Sequence, residues 1–482
     1  MYFNTTQYIL FLPLVVILFY LTPFRFRWLL LLAASYYFYV CWRAEFMVVI
    51  IFSTMVNYFS AILIARNKTN KRNKKIFLTI ALVINLGMLI ILKYLGFIND
   101  FFHEIFGIIP APTSPLLYLI APVGLSYFTL QSLTYVFDTY YNLREPEKHP
   151  GIFALYVAFF PLILSGPIEQ STHLLPQFRD KARAKLKSVN IEEGIKLIIW
   201  GYFLKLVVAD RTSIYVDAVF GNVDRHGGIT FIAALILYSF QIYSDFAGYS
   251  CIAIGSARLM GFDVLHNFNR PYFSQSISEF WTRWHISLST WLRNYLFNPL
   301  SYYFMRKLQK ERYLKIIKPE LLTYAIAASI TFLMCGIWHG ANFTFIIWGS
   351  LHGFYLIVDR IINKKGGNRV LNIIITYILV LFAWIFFRSE NVHQSLTVIK
   401  AILTHPGSLY IPFDSDVVAP VYAVLGIFIL LMVEVKREFF NNSFSLSGNK
   451  NEYIRMASYG FMIFLILYLG VFDASQFMYV KF

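Results

Sequence analysis

FMVVIIFSTMVNYFSAILIARNKTNKRNKK, residues 46–75, decides the fold class. Its first 20 residues, Phe46 to Ala65, carry no charge. That is about the length an α-helix needs to cross the hydrocarbon core of a bilayer. The ten residues that follow, Arg66 to Lys75, hold six Lys or Arg and no acid, and such a cluster stays in the cytoplasm. The stretch therefore reads as a membrane span that ends inside the cell. Composition extends this reading to the whole chain: of 482 residues, 58% are hydrophobic, 19% aromatic and 14% charged, with a mean hydropathy of +0.58. Soluble domains run nearer a quarter charged, so an ordinary soluble enzyme, a disordered chain and a disulfide scaffold are excluded. The net charge of +16 lies between apolar runs, as positive-inside orientation and anionic headgroups require. It does not mark a nucleic-acid-binding protein.

The same grammar repeats in both directions from this stretch. Tyr8–Phe24 has an uncharged leader and a basic flank at Arg25 and Arg27, the reverse of a cleavable signal, and is expected to remain as a helix with its N-terminus outside. Trp28–Trp42 pairs with Phe46–Ala65, Ile76–Leu95 leads out, and Leu116–Phe137 returns to the loop Arg144–Lys148. Ile152–Leu164 is too short to span, is interrupted by Pro161 and is closed by Gly166-Pro167, with basic residues on its far side. It reads as a re-entrant segment, whose irregular backbone needs protein or a water-filled cavity around it.

Asn190 with Glu193 reads as a helix start leading into Ile195–Val208, followed by an external loop around Asp210–His226. Ile229–Phe246 carries Gln241, Ser244 and Asp245 near its inner end. An intramembrane acid is costly and faces a partner or a cavity, and Asp245 is expected first as a network anchor and second as a chemical group. In the polar insertion Glu279–Lys318, Trp281, Trp284, Leu288, Trp291 and Tyr295 recur at steps of three and four, opposite Arg283, Ser287, Thr290 and Asn294. This predicts one amphipathic helix, lying at the membrane surface or buttressing the interior, with His285 at the margin of its apolar side. Leu322–Trp338 and Asn342–Val358 form a hairpin around His339, Gly340 and Ala341. A rise of about 1.5 Å per residue places His339 roughly 25 Å from the inner surface, on the opposite side from His285. Val370–Phe387, Val417–Val433 and Met456–Phe472 complete the set, with an external loop Ser389–Asp416. The expectation is an all-α polytopic transmembrane bundle of about 11–13 membrane segments, re-entrant and interfacial helices included, in a single integral membrane domain.

The chain lacks a phosphate-binding loop, a dinucleotide fingerprint, H-E-x-x-H and a nucleophile elbow. The remaining chemistry-bearing groups at membrane depth are His339 between Gly336 and Gly340, His352, Asp245, Gln241 and the interfacial His285. A histidine titrates near neutral pH and can act as a base toward a hydroxyl. In an apolar hairpin it can equally be a hydrogen-bonded structural residue. Cys41, Cys251 and Cys335 all lie in apolar stretches and are expected as small core residues, with no metal set in their spacing.

Five strings then change the reading: APVGLSYFTLQSLTYVFDTYY (Ala121–Tyr141), FFPLILSGPI (Phe159–Ile168), QIYSDFAGYS (Gln241–Ser250), NFNRPYFSQSISEFWTRWHISLSTWLRNYLF (Asn267–Phe297) and GIWHGANFTFIIWGSLHG (Gly336–Gly353). In this order, and with the ending FMYVKF, the chain resembles the membrane-bound O-acyltransferases, and within them the bacterial alginate O-acetylation branch. The resemblance implies a bundle around a funnel or tunnel joining the two membrane faces. It implies a cytoplasmic thioester donor, acetyl-CoA or an acylated carrier, with no tightly bound cofactor and no metal. It carries the catalytic histidine onto His339 and the second family histidine onto His285. Trp338, Asn342, Asp245, Gln241 and Arg283 are the supporting or substrate-binding candidates that the residues themselves offer beside them. Trp338 or Asn342 would donate to the oxyanion. An extracytoplasmic acetyltransferase partner, an exported polysaccharide acceptor and a multi-pass location in the bacterial inner membrane also follow from the resemblance.

The chain departs from the branch pattern at Ser250-Cys251, at Arg293-Asn294 and at Ser301–Phe304. The acceptor therefore stays open among alginate-like glycans, other surface glycans and peptidoglycan. D-alanyl transfer to teichoic acid and a non-enzymatic transporter or flippase are the alternatives.

Overall fold

The computed structural model describes residues 1–99, 122–183, 185–309, 318–362, 367–412, 418–440 and 451–472. Helices dominate, and no strand occurs among the described residues. Seven helices are long and apolar enough to cross a membrane: Ala44–Arg66, Lys71–Asn99, Gly228–Leu259, Pro319–His339, Phe343–Ile362, Arg369–Arg388 and Glu452–Leu469. Thr6–Leu21 is a shorter apolar helix. Large apolar side chains such as Leu10, Val48, Val83, Ile378 and Leu467 stay exposed on these helices, which is the pattern of surfaces solvated by lipid tails. The chain is a multi-pass membrane protein. Residues 116–121 of the expected helix Leu116–Phe137, part of the expected loop Ser389–Asp416, and the ending FMYVKF lie outside the described residues.

Met1–Ile198 and Tyr249–Leu265 build one compact unit. Phe3, Tyr8, Phe38 and Phe160 fill its interior with fully buried rings. Helices Met47–Arg66 and Lys71–Leu89 are joined by a reciprocal amide pair, Asn57 and Asn85 donating to each other at 3.0 Å. The segment expected to be re-entrant holds a nine-residue helix, Pro150–Ala158, which stops three residues before Pro161, where the missing N–H and the ring forbid continuation. Residues 159–169 then run buried and irregular. Neighbouring side chains satisfy their backbone: Ser35 accepts from the Phe160 N–H at 3.0 Å, Tyr249 accepts from Ser165 N–H at 3.3 Å, and Tyr156 donates to the Glu169 carbonyl at 2.8 Å. This is how irregular backbone persists where water is scarce.

Ile199–Gly248 and His266–Met478 build the other unit. Two sequence expectations fail at its start. The helix begins at Ser188, ahead of Asn190, and the expected loop Asp210–His226 opens with an eleven-residue helix, Asp210–Phe220. A π-helical stretch, Phe203–Ala209, joins the two helices. Its widened turn frees the Leu206 carbonyl to accept the Val471 N–H at 3.0 Å. A third correction falls in the expected loop after Ser389, which contains the helix Val392–Thr404.

The fourth correction concerns the site. The single amphipathic helix is instead Ile277–Arg283, a break at Trp284 and His285, Ile286–Leu292, a π turn Arg293–Phe297, and Asn298–Leu308. Trp284 is extended and His285 left-handed, at φ 41° and ψ 53°. Of the cysteines, Cys335 is buried as expected of a core thiol, whereas Cys251 is only half-buried and Cys41 is exposed.

Candidate active site

His339 is the last residue of Pro319–His339, and Gly340 follows it in extended conformation. The hairpin that carries it closes through glycine. A Cβ on Gly336 would stand 2.3 Å from the Phe345 carbonyl oxygen, and one on Gly340 would stand 2.3 Å from the Phe345 ring. Only glycine allows that approach. His339 is buried within a ring of aromatics: Trp338 and Trp348 each at 4.9 Å, Phe387 at 5.2 Å and Phe345 at 6.5 Å between centroids. His352 sits beyond Trp348 at 4.9 Å, and its Nδ1 accepts from Trp281 Nε1–H at 3.3 Å.

His285 is wholly buried, with Phe246 edge-on at 4.6 Å and Trp338 at 6.2 Å. Trp338 thus packs against both imidazoles. This corrects the interfacial placement of His285, which is enclosed within the protein. The physical reason is the break at residues 284–285: a left-handed residue costs about 1–2 kcal/mol and resets the phase of the periodicity, so the side chain turns inward instead of lying along an apolar margin. The structure therefore brings His285, Trp338 and His339 into one aromatic cluster.

The other candidates are disposed differently. Asn342 caps the next helix: its Oδ1 accepts from Thr344 N–H at 3.0 Å and its Nδ2 donates to the Glu390 carbonyl at 2.5 Å. Arg283 grips Glu438 through two bonds of 3.0 and 3.2 Å and Glu279 at 2.6 Å, beside Arg270 and Arg369 on the same Glu438. That cluster fastens Ile277–Arg283 to Val418–Phe439. Gln241 is buried on Gly228–Leu259, and its Oε1 accepts no hydrogen bond among the described residues. Asp245 takes the anchoring role: Lys205 Nζ lies 2.7 Å from its Oδ1 and 2.9 Å from Asp210 Oδ1, all three side chains being at most 5% exposed. Sequence reasoning missed Lys205, although a cation deep inside the apolar run Ile195–Val208, nine residues beyond Lys196 at its start, was the visible signal. It also missed Glu434, which accepts a hydrogen bond from Tyr243, and Asn267, which holds the chain around His285. No group of three His, Cys, Asp or Glu side chains among the described residues could hold a metal ion.

A buried imidazole among aromatic walls, next to a second buried imidazole, can take a proton from a hydroxyl while excluding bulk water. Residues 113–387, which hold His285, His339 and every other site residue expected from the sequence, match the model of the membrane-bound O-acyltransferase family. The chain is 37% identical to a Pseudomonas aeruginosa protein named probable alginate O-acetylase AlgI, over 82% of this chain and 73% of that one. It is 34% identical to the Helicobacter pylori peptidoglycan O-acetyltransferase, over 78% and 73% respectively. A Bacillus subtilis teichoic acid D-alanyltransferase matches at 28% identity over 59% of this chain and 73% of its own length. With the fold, the ordered strings and these relatives in agreement, the chain belongs to the membrane-bound O-acyltransferase family.

Proposed function

We propose that the chain moves acetyl from a cytoplasmic thioester, acetyl-CoA or an acetylated carrier, to a hydroxyl for O-acetylation of an exported polysaccharide. It would do so in the bacterial inner membrane. The acceptor class is an alginate-like or other surface glycan, or peptidoglycan, and an extracytoplasmic acetyltransferase receives or directs the acyl group. The observation that carries the reading is the packing of His285 and His339 against the same indole, Trp338, in a buried aromatic enclosure. His339 accepts the hydroxyl proton as the oxygen attacks the thioester carbonyl. The C–O bond forms, the C–S bond breaks, and the departing thiolate takes up a proton. General-base assistance of this kind contributes about 10²–10⁴-fold. Trp338, in contact with His339 and near His285, is better placed to serve the oxyanion than Asn342, whose amide is engaged in capping. Acetyl takes precedence over D-alanyl because the relatives named for O-acetyl transfer are more similar and align over more of this chain.

The test is the acetyl content of surface glycan and peptidoglycan, by mass spectrometry, in cells with wild-type protein, none, or an equally abundant His339→Ala variant. Loss of acetyl in the last two supports the reading and identifies the acceptor. Unchanged acetyl in all three refutes it, and a parallel measurement of D-alanine on teichoic acid then separates the alternative.

A further inference from the structure

His285 is held in a backbone conformation that side-chain-bearing residues rarely adopt, and Asn267 supplies the contacts that hold it there. The chain at residues 267–269 lies alongside the break. The Ile286 N–H, on one side of His285, donates to the Asn267 carbonyl at 2.9 Å, and the Asn269 N–H donates to the Arg283 carbonyl at 2.9 Å. The Asn267 side chain, 1% exposed, adds a further hold. Its Oδ1 accepts from Ser287 Oγ–H at 2.6 Å and from Ser287 N–H at 3.3 Å. Ile286 opens the short helix Ile286–Leu292, whose first N–H groups have no partner within the helix. Asn267 caps them from a distant part of the sequence. Between these rungs, Phe268 packs edge-on against Trp284 and Phe246, each at 5.1 Å, and Phe246 is also the ring that faces His285. One strap, 267–269, thus ties both sides of the left-handed residue and packs against the wall that His285 touches.

We infer that Asn267 is a positioning residue, whose amide oxygen and carbonyl hold the Trp284–His285 break and so keep the His285 imidazole inside the aromatic enclosure. Its consequence for catalysis rests on the proposed acyl-transfer role of His285. The positioning itself does not.

The experiment measures carbethoxylation of individual histidines by diethyl pyrocarbonate in the purified full-length protein in detergent, using peptide mass spectrometry. His352 is as buried as His285 and sits on a different helix, Phe343–Ile362, so it reports general loosening. In the wild type both resist. Asn267→Ala is expected to raise the labelling rate of His285 about tenfold while His352 stays protected. Asn267→Asp keeps acceptor oxygens toward Ser287, in a capping residue of equal rank, and is expected to restore protection. Ser287→Ala, which removes only the hydroxyl donor, should give an intermediate rate and serves if Asn267→Ala fails to fold.

Unchanged His285 labelling in Asn267→Ala and Ser287→Ala overturns the inference, as does exposure of His285 and His352 together. Transfer assays on the same proteins supply a separate readout. Misplacement of a reacting group by about 1 Å costs about 10²-fold, so kcat should fall in Asn267→Ala with KM for the donor changing less. If His285→Asn transfers acetyl at the wild-type rate while Asn267→Ala still exposes His285, the acyl-transfer role of His285 fails and the positioning stands.

Discussion

Replacing Lys205 by methionine should destabilise the protein in a calculable way. The ammonium is 1% exposed and lies 2.7 Å from Asp245 and 2.9 Å from Asp210, whose side chains are 4% and 5% exposed. Methionine fills nearly the same volume, so packing is conserved and the change is electrostatic. Two carboxylates are then left in a low-dielectric interior without their cation, and breaking a buried pair in this way costs about 3–5 kcal/mol. At an unfolding entropy of about 2.1 cal/mol/K per residue, the 482 residues give roughly 1 kcal/mol per degree, so the apparent melting temperature should drop by about 3–5 °C. The assay is the loss of the monodisperse peak on size exclusion after heating in detergent at a fixed rate. A triple variant, Lys205→Met with Asp210→Asn and Asp245→Asn, removes all three charges and should recover most of the loss, because uncharged replacements of buried ionic groups are often neutral. It should also retain acyl transfer, since Asp245 acts as an anchor. A drop below 1 °C in Lys205→Met would refute the buried triad. Loss of transfer in a stable triple variant would return Asp245 to the chemistry.

Three further outcomes follow from the geometry. Gly349→Ala places a Cβ 2.3 Å from the Phe332 carbonyl oxygen and 3.1 Å from Gly336 Cα, wedging open the hairpin that carries His339. Overpacking of this kind costs about 1–3 kcal/mol, and an ångström-scale shift of His339 should lower transfer by about 10²-fold, measured with donor thioester in membranes at matched protein levels. Trp281→Phe removes the indole N–H bonded to His352 at 3.3 Å and leaves a buried acceptor unsatisfied, which should destabilise by about 1–3 kcal/mol in the same melting assay. Burial pushes the Glu147 carboxyl up, but hydrogen bonds from Arg179 and the His149 N–H outweigh that and hold it below its ordinary value of 4.5. A carboxyl with a depressed folded-state pKa contributes stability that is full above its unfolded value and is lost as pH falls through the folded one. The melting temperature of the wild type should therefore fall more steeply below about pH 4.5 than that of Glu147→Gln, and parallel curves would contradict this.

How much of this was legible in the sequence depends on which physical rule each residue obeys. The spans were legible because a bilayer demands about 20 apolar residues and retains Lys and Arg on one side, and Phe46–Lys75 displays both signals. The early end of the helix before Pro161 was legible because Pro161 and Gly166-Pro167 cannot continue a helix, and it does end at Ala158. Asp245 was legible as an anchor because its cost demanded a partner. The partner escaped notice because Lys205 sits 40 residues away in a run that reads as apolar.

His285 was misplaced for a different reason. Periodicity arguments assume unbroken helical dihedrals, and Trp281, Trp284, Leu288, Trp291 and Tyr295 satisfy the helical period across the break. Nothing local forces a left-handed histidine. That conformation is imposed by hydrogen bonds from residues 267–269, tertiary contacts no periodic pattern encodes. The spacing of aromatics is nevertheless informative in retrospect. Trp281 and Trp284 are buried and pack against His352 and Phe268, as a segment that buttresses the interior requires. Periodicity alone left the segment either at the membrane surface or buttressing the interior, and the burial of Trp281 and Trp284 beside the break at His285 is what selects the second.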